Sequence, residues 1–277
     1  MVWKLIFFKT TRKVQVLEYD FMQRAFLAGL IIAILASVSG SFIVLKRYSM
    51  IGETLAHSSL VGVAVALVAG SNPLWVAVVF ALFAAWSIEI LREKFDLYSD
   101  AILSILLSGS LALAVVIVSV GGSFNNSLFS YLFGSILAVT NQDLYTIVIV
   151  GIVFLGVLLL KASKFYFIAY DEEVAKVSGI NVEKCNFLLV SIVAVIIALS
   201  IHIVGSLLIG ALMVIPVSTA LQFRKGFLST ILLSVLISVI GVIGGMSVSY
   251  YFSLPSGASI VLFVIVLFIF SLVINRR

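Results

Sequence analysis

Nine long apolar runs separated by short polar breaks dominate this chain, at roughly 21–45, 52–70, 74–91, 100–120, 142–161, 186–204, 206–222, 227–252 and 258–274. A helix needs about 20 apolar residues to cross the roughly 30 Å hydrocarbon core of a bilayer, and a spanning strand needs about half as many. Runs of this length read as membrane helices, because lipid offers no partner for an unpaired backbone N–H or C=O. Composition agrees: 63% of the 277 residues are hydrophobic and only 10% are charged, against about a quarter charged in a soluble domain. Polar groups are too few to cover a water-facing surface. The expected fold is an all-α, polytopic membrane bundle of about nine helices, or eight, since 52–70 and 206–222 are short. A cytosolic enzyme, a secreted disulfide scaffold and a nucleic-acid-binding module are excluded.

Charges between the runs set the orientation. Lys46-Arg47, Arg92 with Lys94, Lys161 through Lys184, Arg224-Lys225 and Arg276-Arg277 fall on alternate breaks, while 70–73, 121–127 and 253–257 hold no Lys or Arg. Basic loops stay on the cytoplasmic side, so the C-terminus is inside and nine crossings put the N-terminus outside. Residues 1–20 carry Lys4, Lys9, Arg12 and Lys13; no cleavable signal is evident, and an interfacial helix fits them. The stretch 128–139 is too short to span and reads as a half-helix at the surface. Nothing marks a second domain, so residues 1–277 form one transmembrane unit. The single cysteine, Cys185, excludes an internal disulfide and a thiolate cluster. Small residues crowd two spans, Ala36, Ser37, Ser39, Gly40 and Ser41 in the first and Gly241, Gly244 and Gly245 in the eighth. They read as packing seams, because close backbone approach is what joins helices in lipid.

Polar groups at membrane depth are costly and need a reason. Both histidines of the chain, His57 and His202, fall in apolar runs. Glu53 and His57 are four residues apart, so a helix projects both from one face. Two readings fit: a Glu–His hydrogen bond at a helix entrance where the dipole favours the acid, or a carboxylate and an imidazole that grip a divalent cation. Pro216 removes a backbone donor inside a span and should kink it, passively or as part of a transport pathway. Glu89 either snorkels or pairs with Arg92 at i, i+3.

The break at 170–184 contains Asp171-Glu172-Glu173-Val174-Ala175-Lys176-Val177-Ser178-Gly179. Asp171 suits an N-cap, Glu172 and Glu173 the first turn, and Gly179 a C′ stop. Val174 and Val177 make a small apolar stripe. Such a helix is either a knob for a cytoplasmic partner or a solvated loop helix. No Gly-x-x-x-x-Gly-Lys-[Ser/Thr] occurs, so any ATP that drives this chain is handled by another polypeptide.

Four ordered stretches resemble the membrane permease subunits of bacterial ABC importers for zinc, manganese or iron. They are Phe21-Met22-Gln23-Arg24-Ala25-Phe26-Leu27-Ala28-Gly29; Val44 through Glu53 running into Ala56-His57-Ser58; Asp171 through Ala175 with Gly179; and Val204-Gly205-Ser206-Leu207-Leu208 through Ile215-Pro216. Together they cover the chain from about residue 20 onward. The resemblance implies a homodimer in the plasma (inner) membrane, with the pathway on its two-fold axis. It also implies two ABC ATPase subunits beneath and an extracytoplasmic metal-binding protein above. No resident cofactor is implied; the divalent zinc, manganese or iron ion is cargo, and the chain is no enzyme. Residues 171–179 look like the helix that couples to the ATPase, with Asp171, Glu172, Glu173, Val174, Val177 and Gly179 as its coupling residues. The family's acidic-x-x-x-His motif maps onto Glu53 and His57, with Glu where Asp is frequent. Position 202 commonly holds Lys in that family; here His202 offers a third nitrogen ligand.

Depth raises one difficulty. His57 lies about a turn and a half from the inner end of its span and His202 near the outer end of another. A shared site requires segment 46–54 to dip into the membrane; otherwise the two are separate stations. Glu plus His suits zinc, manganese or ferrous iron, and a lack of thiolate disfavours cuprous ion. Competing functions are an ABC permease for a chelated metal or cobalamin-like ligand and a secondary metal transporter that works without an ATPase. An intramembrane metalloenzyme would need a fuller ligand set than this chain offers.

Overall fold

The structure, a computed structural model, describes residues 20–95, 98–121, 131–134 and 139–275. Eight helices among them are long and apolar enough to cross a membrane. They are α1 (Asp20–Leu45), α2 (Ile51–Ala69), α3 (Pro73–Phe95), α4 (Ser99–Val120), α5 (Asn141–Leu160), α8 (Val182–Val204), α10 (Phe227–Phe252) and α11 (Ser256–Ile274). The ninth apolar run forms α9 (Ser206–Leu221), of 16 residues. At about 1.5 Å per residue it is shorter than the hydrocarbon core. It tolerates this because it is an inner helix, packed against α1, α2, α10 and α11 rather than against lipid. All nine expected runs are thus helical, eight long and one short. The N-terminal segment and most of the expected half-helix lie outside the described residues; within 128–139, Tyr131–Phe133 is helical.

The break at 161–184 is more ordered than expected from sequence. It contains α6 (Ala162–Tyr170) as well as α7 (Glu172–Val177). Phe165 and Ile168, one turn apart, are buried, and Phe165 meets Phe42 of α1 edge to face with centroids 5.7 Å apart. The α7 boundaries follow the sequence: Asp171 accepts from Val174 N–H at 3.0 Å, and Gly179 has φ +81.

Close packing occurs where the small residues stand. A β-carbon on Gly40 of α1 would fall on the Met213 carbonyl of α9, one on Gly62 of α2 would meet the backbone at Val76 and Ala77 of α3, and one on Gly245 of α10 would meet Ile260 of α11. Ser41 and Ser234 add a hydroxyl contact of 3.4 Å between α1 and α10. The basic turns gather at one end of the bundle, where Lys46 reaches Asn186 and Arg92 reaches Glu172. Gly205, at φ +87, reverses the chain at the other end against the backbone of Leu132–Gly134.

Candidate functional site

Glu53 sits in the first turn of α2, where the unpaired N–H groups and the dipole favour a carboxylate. It is exposed, whereas the other residues of Ile51–Ala64 are buried. His57 lies one turn further along the same helix, 7% exposed, and its Nδ1 is buried with no hydrogen-bond partner. A Glu–His hydrogen bond through that nitrogen is therefore absent. An imidazole nitrogen left unpaired in a membrane interior is a costly arrangement, and it is the form in which a histidine can accept a cation.

Helix α2 does not start at the end of the bundle. Gly52 and Gly40 both abut Met213, near the midpoint of α9, and Gly210 packs on the Glu53 backbone. The first turn of α2 thus lies level with the middle of α9, while Lys46 of the preceding turn stays at the basic end. A cavity of about 340 Å³ lies between Glu53, Ser49 and Met50 on one wall and Gly210, Ala211 and Val214 on the other. Helix α9 runs through Pro216 without a break.

His202 lies elsewhere. It lies in the last turn of α8 and lines a separate cavity of about 600 Å³ with Asn72, Trp75, Tyr131, Gln142 and Asp143, at the end where Gly205 turns the chain. Its ring is 5.1 Å from that of Tyr131. Burial, with the Asp143 carboxylate second, raises the Tyr131 phenol above its usual range. Asp143 itself accepts from Thr140 N–H at 3.0 Å and Thr140 Oγ1 at 2.7 Å, capping α5. Neither Glu53 nor His57 lines this cavity, so within one chain the three residues do not share one site. Among the described residues no group of three or more His, Cys, Asp or Glu side chains can hold a metal ion. The described residues of one chain offer an acid–imidazole pair and no closed ligand set.

At the basic end the sequence concealed a larger polar cluster. Glu89 is fully buried and pairs with Arg92 at 3.0 Å, so it does not snorkel. Arg92 also bridges to Glu172 of α7 at 3.0 Å. Lys46 donates to Asn186 Oδ1 at 2.6 Å. Burial lowers the Lys46 ammonium, opposed by Glu89. Burial, reinforced by Glu89, pushes the Tyr48 phenol up to about 12, which keeps it neutral. Val174 and Val177 on α7 are 48% and 90% exposed, an apolar stripe facing away from the protein. Only the i, i+3 pair of Glu89 with Arg92 was readable beforehand; the link to Glu172 joins residues 80 apart.

Comparison with known proteins places this architecture. Residues 18–275 match the family model described as the ABC 3 transport family. The chain is 38% identical over 252 residues, 91% of its length and 94% of the relative's, to a probable metal transport system membrane protein of Treponema pallidum (strain Nichols). It is 33% identical over 245 residues (88% and 94%) to the high-affinity zinc uptake system membrane protein ZnuB of Buchnera aphidicola subsp. Acyrthosiphon pisum. Similarity to the manganese import system permease protein ScaB of Streptococcus gordonii is 30% over 260 residues (94% and 93%). Among solved structures, PsaBC from Streptococcus pneumoniae in complex with Fab superposes with a TM-score of 0.82 at 28% identity, covering 98% of this chain and 95% of that one. With the family model spanning nearly the whole chain and the apolar helices in place, this multi-pass plasma-membrane protein belongs to the ABC 3 transport family.

Proposed function

We propose that this chain is the permease subunit of an ATP-driven importer of free divalent zinc or manganese, with ferrous iron a further cargo of the same ligand chemistry. The observation that carries this reading is the Glu53–His57 pair: an exposed carboxylate that lines an open cavity, one helical turn from a buried, unpaired imidazole nitrogen. The zinc and manganese systems named for its relatives support the class of ion. Two ligands are too few to trap an ion, which suits a conduit.

A homodimer completes the pathway. Helix α4 packs mainly on α2 and leaves Ser104, Ser108, Gly109 and Ala112 exposed, small groups that permit a second copy's helix to approach closely. Thr54 and Ser58, which flank Glu53 and His57 in sequence, bond to Leu103 and Ser110 of α4. Copies joined near α4 would bring two acid–imidazole pairs towards one axis. An extracytoplasmic binding protein hands the ion to the outer face, where the His202 cavity is the first polar station. Rocking of the two copies then exposes the pairs to the cytoplasm. The power stroke enters at α7, whose Asp171, Glu172 and Glu173 start a helix that presents Val174 and Val177 to the ATPase and stops at Gly179.

The decisive measurement is metal uptake by the complex reconstituted in liposomes. Uptake of free zinc or manganese is expected only with ATP, ATPase and permease together. ATP-independent uptake by the chain alone would establish a secondary transporter instead, and competition by metal chelates would establish a chelate permease. A second expectation concerns docking. Val174→Asp places a charge in the stripe and is expected to weaken ATPase association by about 2 kcal/mol, some thirtyfold. Undiminished co-purification would remove α7 from the interface.

A further inference from the structure

Glu89 is a carboxylate with no exposed surface on a membrane helix, and such a charge is costly unless paired. Arg92, one turn on, donates through Nη2 to Glu89 Oε2 at 3.0 Å. Its other terminal nitrogen, Nη1, crosses to α7 and donates to both oxygens of Glu172, at 3.1 and 3.0 Å. One guanidinium therefore fixes α7 to α3, and its planar fork holds both partners in a set orientation that an ammonium would not.

The fork does not end there. The Arg92 guanidinium carbon lies 6.0 Å from the centre of the buried Tyr48 ring, and Lys46 Nζ lies 5.1 Å from it. Lys46 in turn is held by Asn186 of α8. Tyr48 closes the α1–α2 turn: its N–H donates to the Ile43 carbonyl at 3.0 Å, and the N–H of Ile51 donates to its carbonyl at 2.9 Å. Glu53 follows within the first turn of α2. Helix α7 has little else to hold it, since Ala175 is its only fully buried residue. Apolar side chains would hold α7 as firmly, because buried ion pairs rarely surpass them in stability. What a charge-assisted fork adds is geometric definition.

We infer that Arg92 is a positioning residue whose fork from Glu89 to Glu172, backed by Tyr48 and Lys46, carries displacement of α7 to the α1–α2 turn and so to Glu53. This rests on the reading of α7 as the ATPase-docking helix. The test uses the complete permease–ATPase complex in liposomes, with zinc and manganese ions as probes, read as ions imported per ATP hydrolysed. Arg92→Gln is expected to keep the ATPase bound and hydrolysing while that ratio falls about tenfold, within the usual range of coupling energies. Glu89→Gln/Arg92→Gln removes both charges of the α3 pair, leaves no buried carboxylate orphaned on α3, and is expected to remain equally uncoupled. An unchanged ratio in the single variant overturns the proposal. So does recovery in the double variant, which would mean that only the orphaned Glu89 mattered, and so does loss of the ATPase from Arg92→Gln, which would make the arginine a docking group. Failure of the docking reading registers separately, as unaltered ATPase binding to Val174→Asp.

Discussion

Metal uptake by a His57→Ala permease is expected to fall about a hundredfold or more, because loss of even an outer-shell partner of a metal ligand costs 10–100-fold. The fold is expected to survive. His57 Nδ1 makes no hydrogen bond, so alanine deletes an unpaired buried polar group as well as packing, and the two effects on stability oppose each other. ATPase association should be unaltered, since His57 lies within α2 and away from α7. ATP-driven zinc and manganese uptake, with co-purification as the control, decides the matter. Uptake at the wild-type rate would take His57 off the pathway.

Gly40→Ala is expected to produce the largest structural effect. A β-carbon there would coincide with the Met213 carbonyl, and no side-chain rotation relieves a clash with backbone. Helix α9 would have to move off α1, and with it the Gly210 wall beside Glu53. Overpacking of this kind costs about 1–3 kcal/mol, and a backbone obstacle puts Gly40 at the upper end. A lowered Tm in detergent, with loss of uptake, is the expected readout. At Gly109, where a β-carbon meets nothing within 4 Å, the same substitution should leave the monomer's Tm unchanged. Equal Tm values for the two variants would show that the α1–α9 contact is not a tight seam.

Much of the fold was legible because lipid enforces a simple rule. Each run had to be long, apolar and helical, so α1 through α5 and α8 through α11 appear close to the expected boundaries. The α7 cap was readable for the same local reason, since Asp171 and Gly179 act within a few residues of themselves. Helix α6 was not foreseen. Its signal, Phe165 and Ile168 at i, i+3, was too short beside Lys161 and Lys164 to stand out from a polar loop. The Glu89–Arg92 pair was legible at i, i+3; its continuation to Glu172 was not, because residues 80 apart meet only through packing.

Glu53 and His57 could be singled out from the sequence, since one turn of helix puts them on one face whatever surrounds it. What surrounds them came from the tertiary structure. The packing of the first turn of α2 against the middle of α9, the cavity beside Glu53, the unpaired Nδ1 and the separate location of His202 all depend on contacts between distant segments. The sequence alone determined a membrane bundle, its long apolar helices and the polar residues within them, because those follow from hydrophobic length and helical period. Tertiary structure alone decided which polar groups share a cavity and which ion pairs join α7 to the α1–α2 turn, because helix packing sets distances that no local spacing encodes.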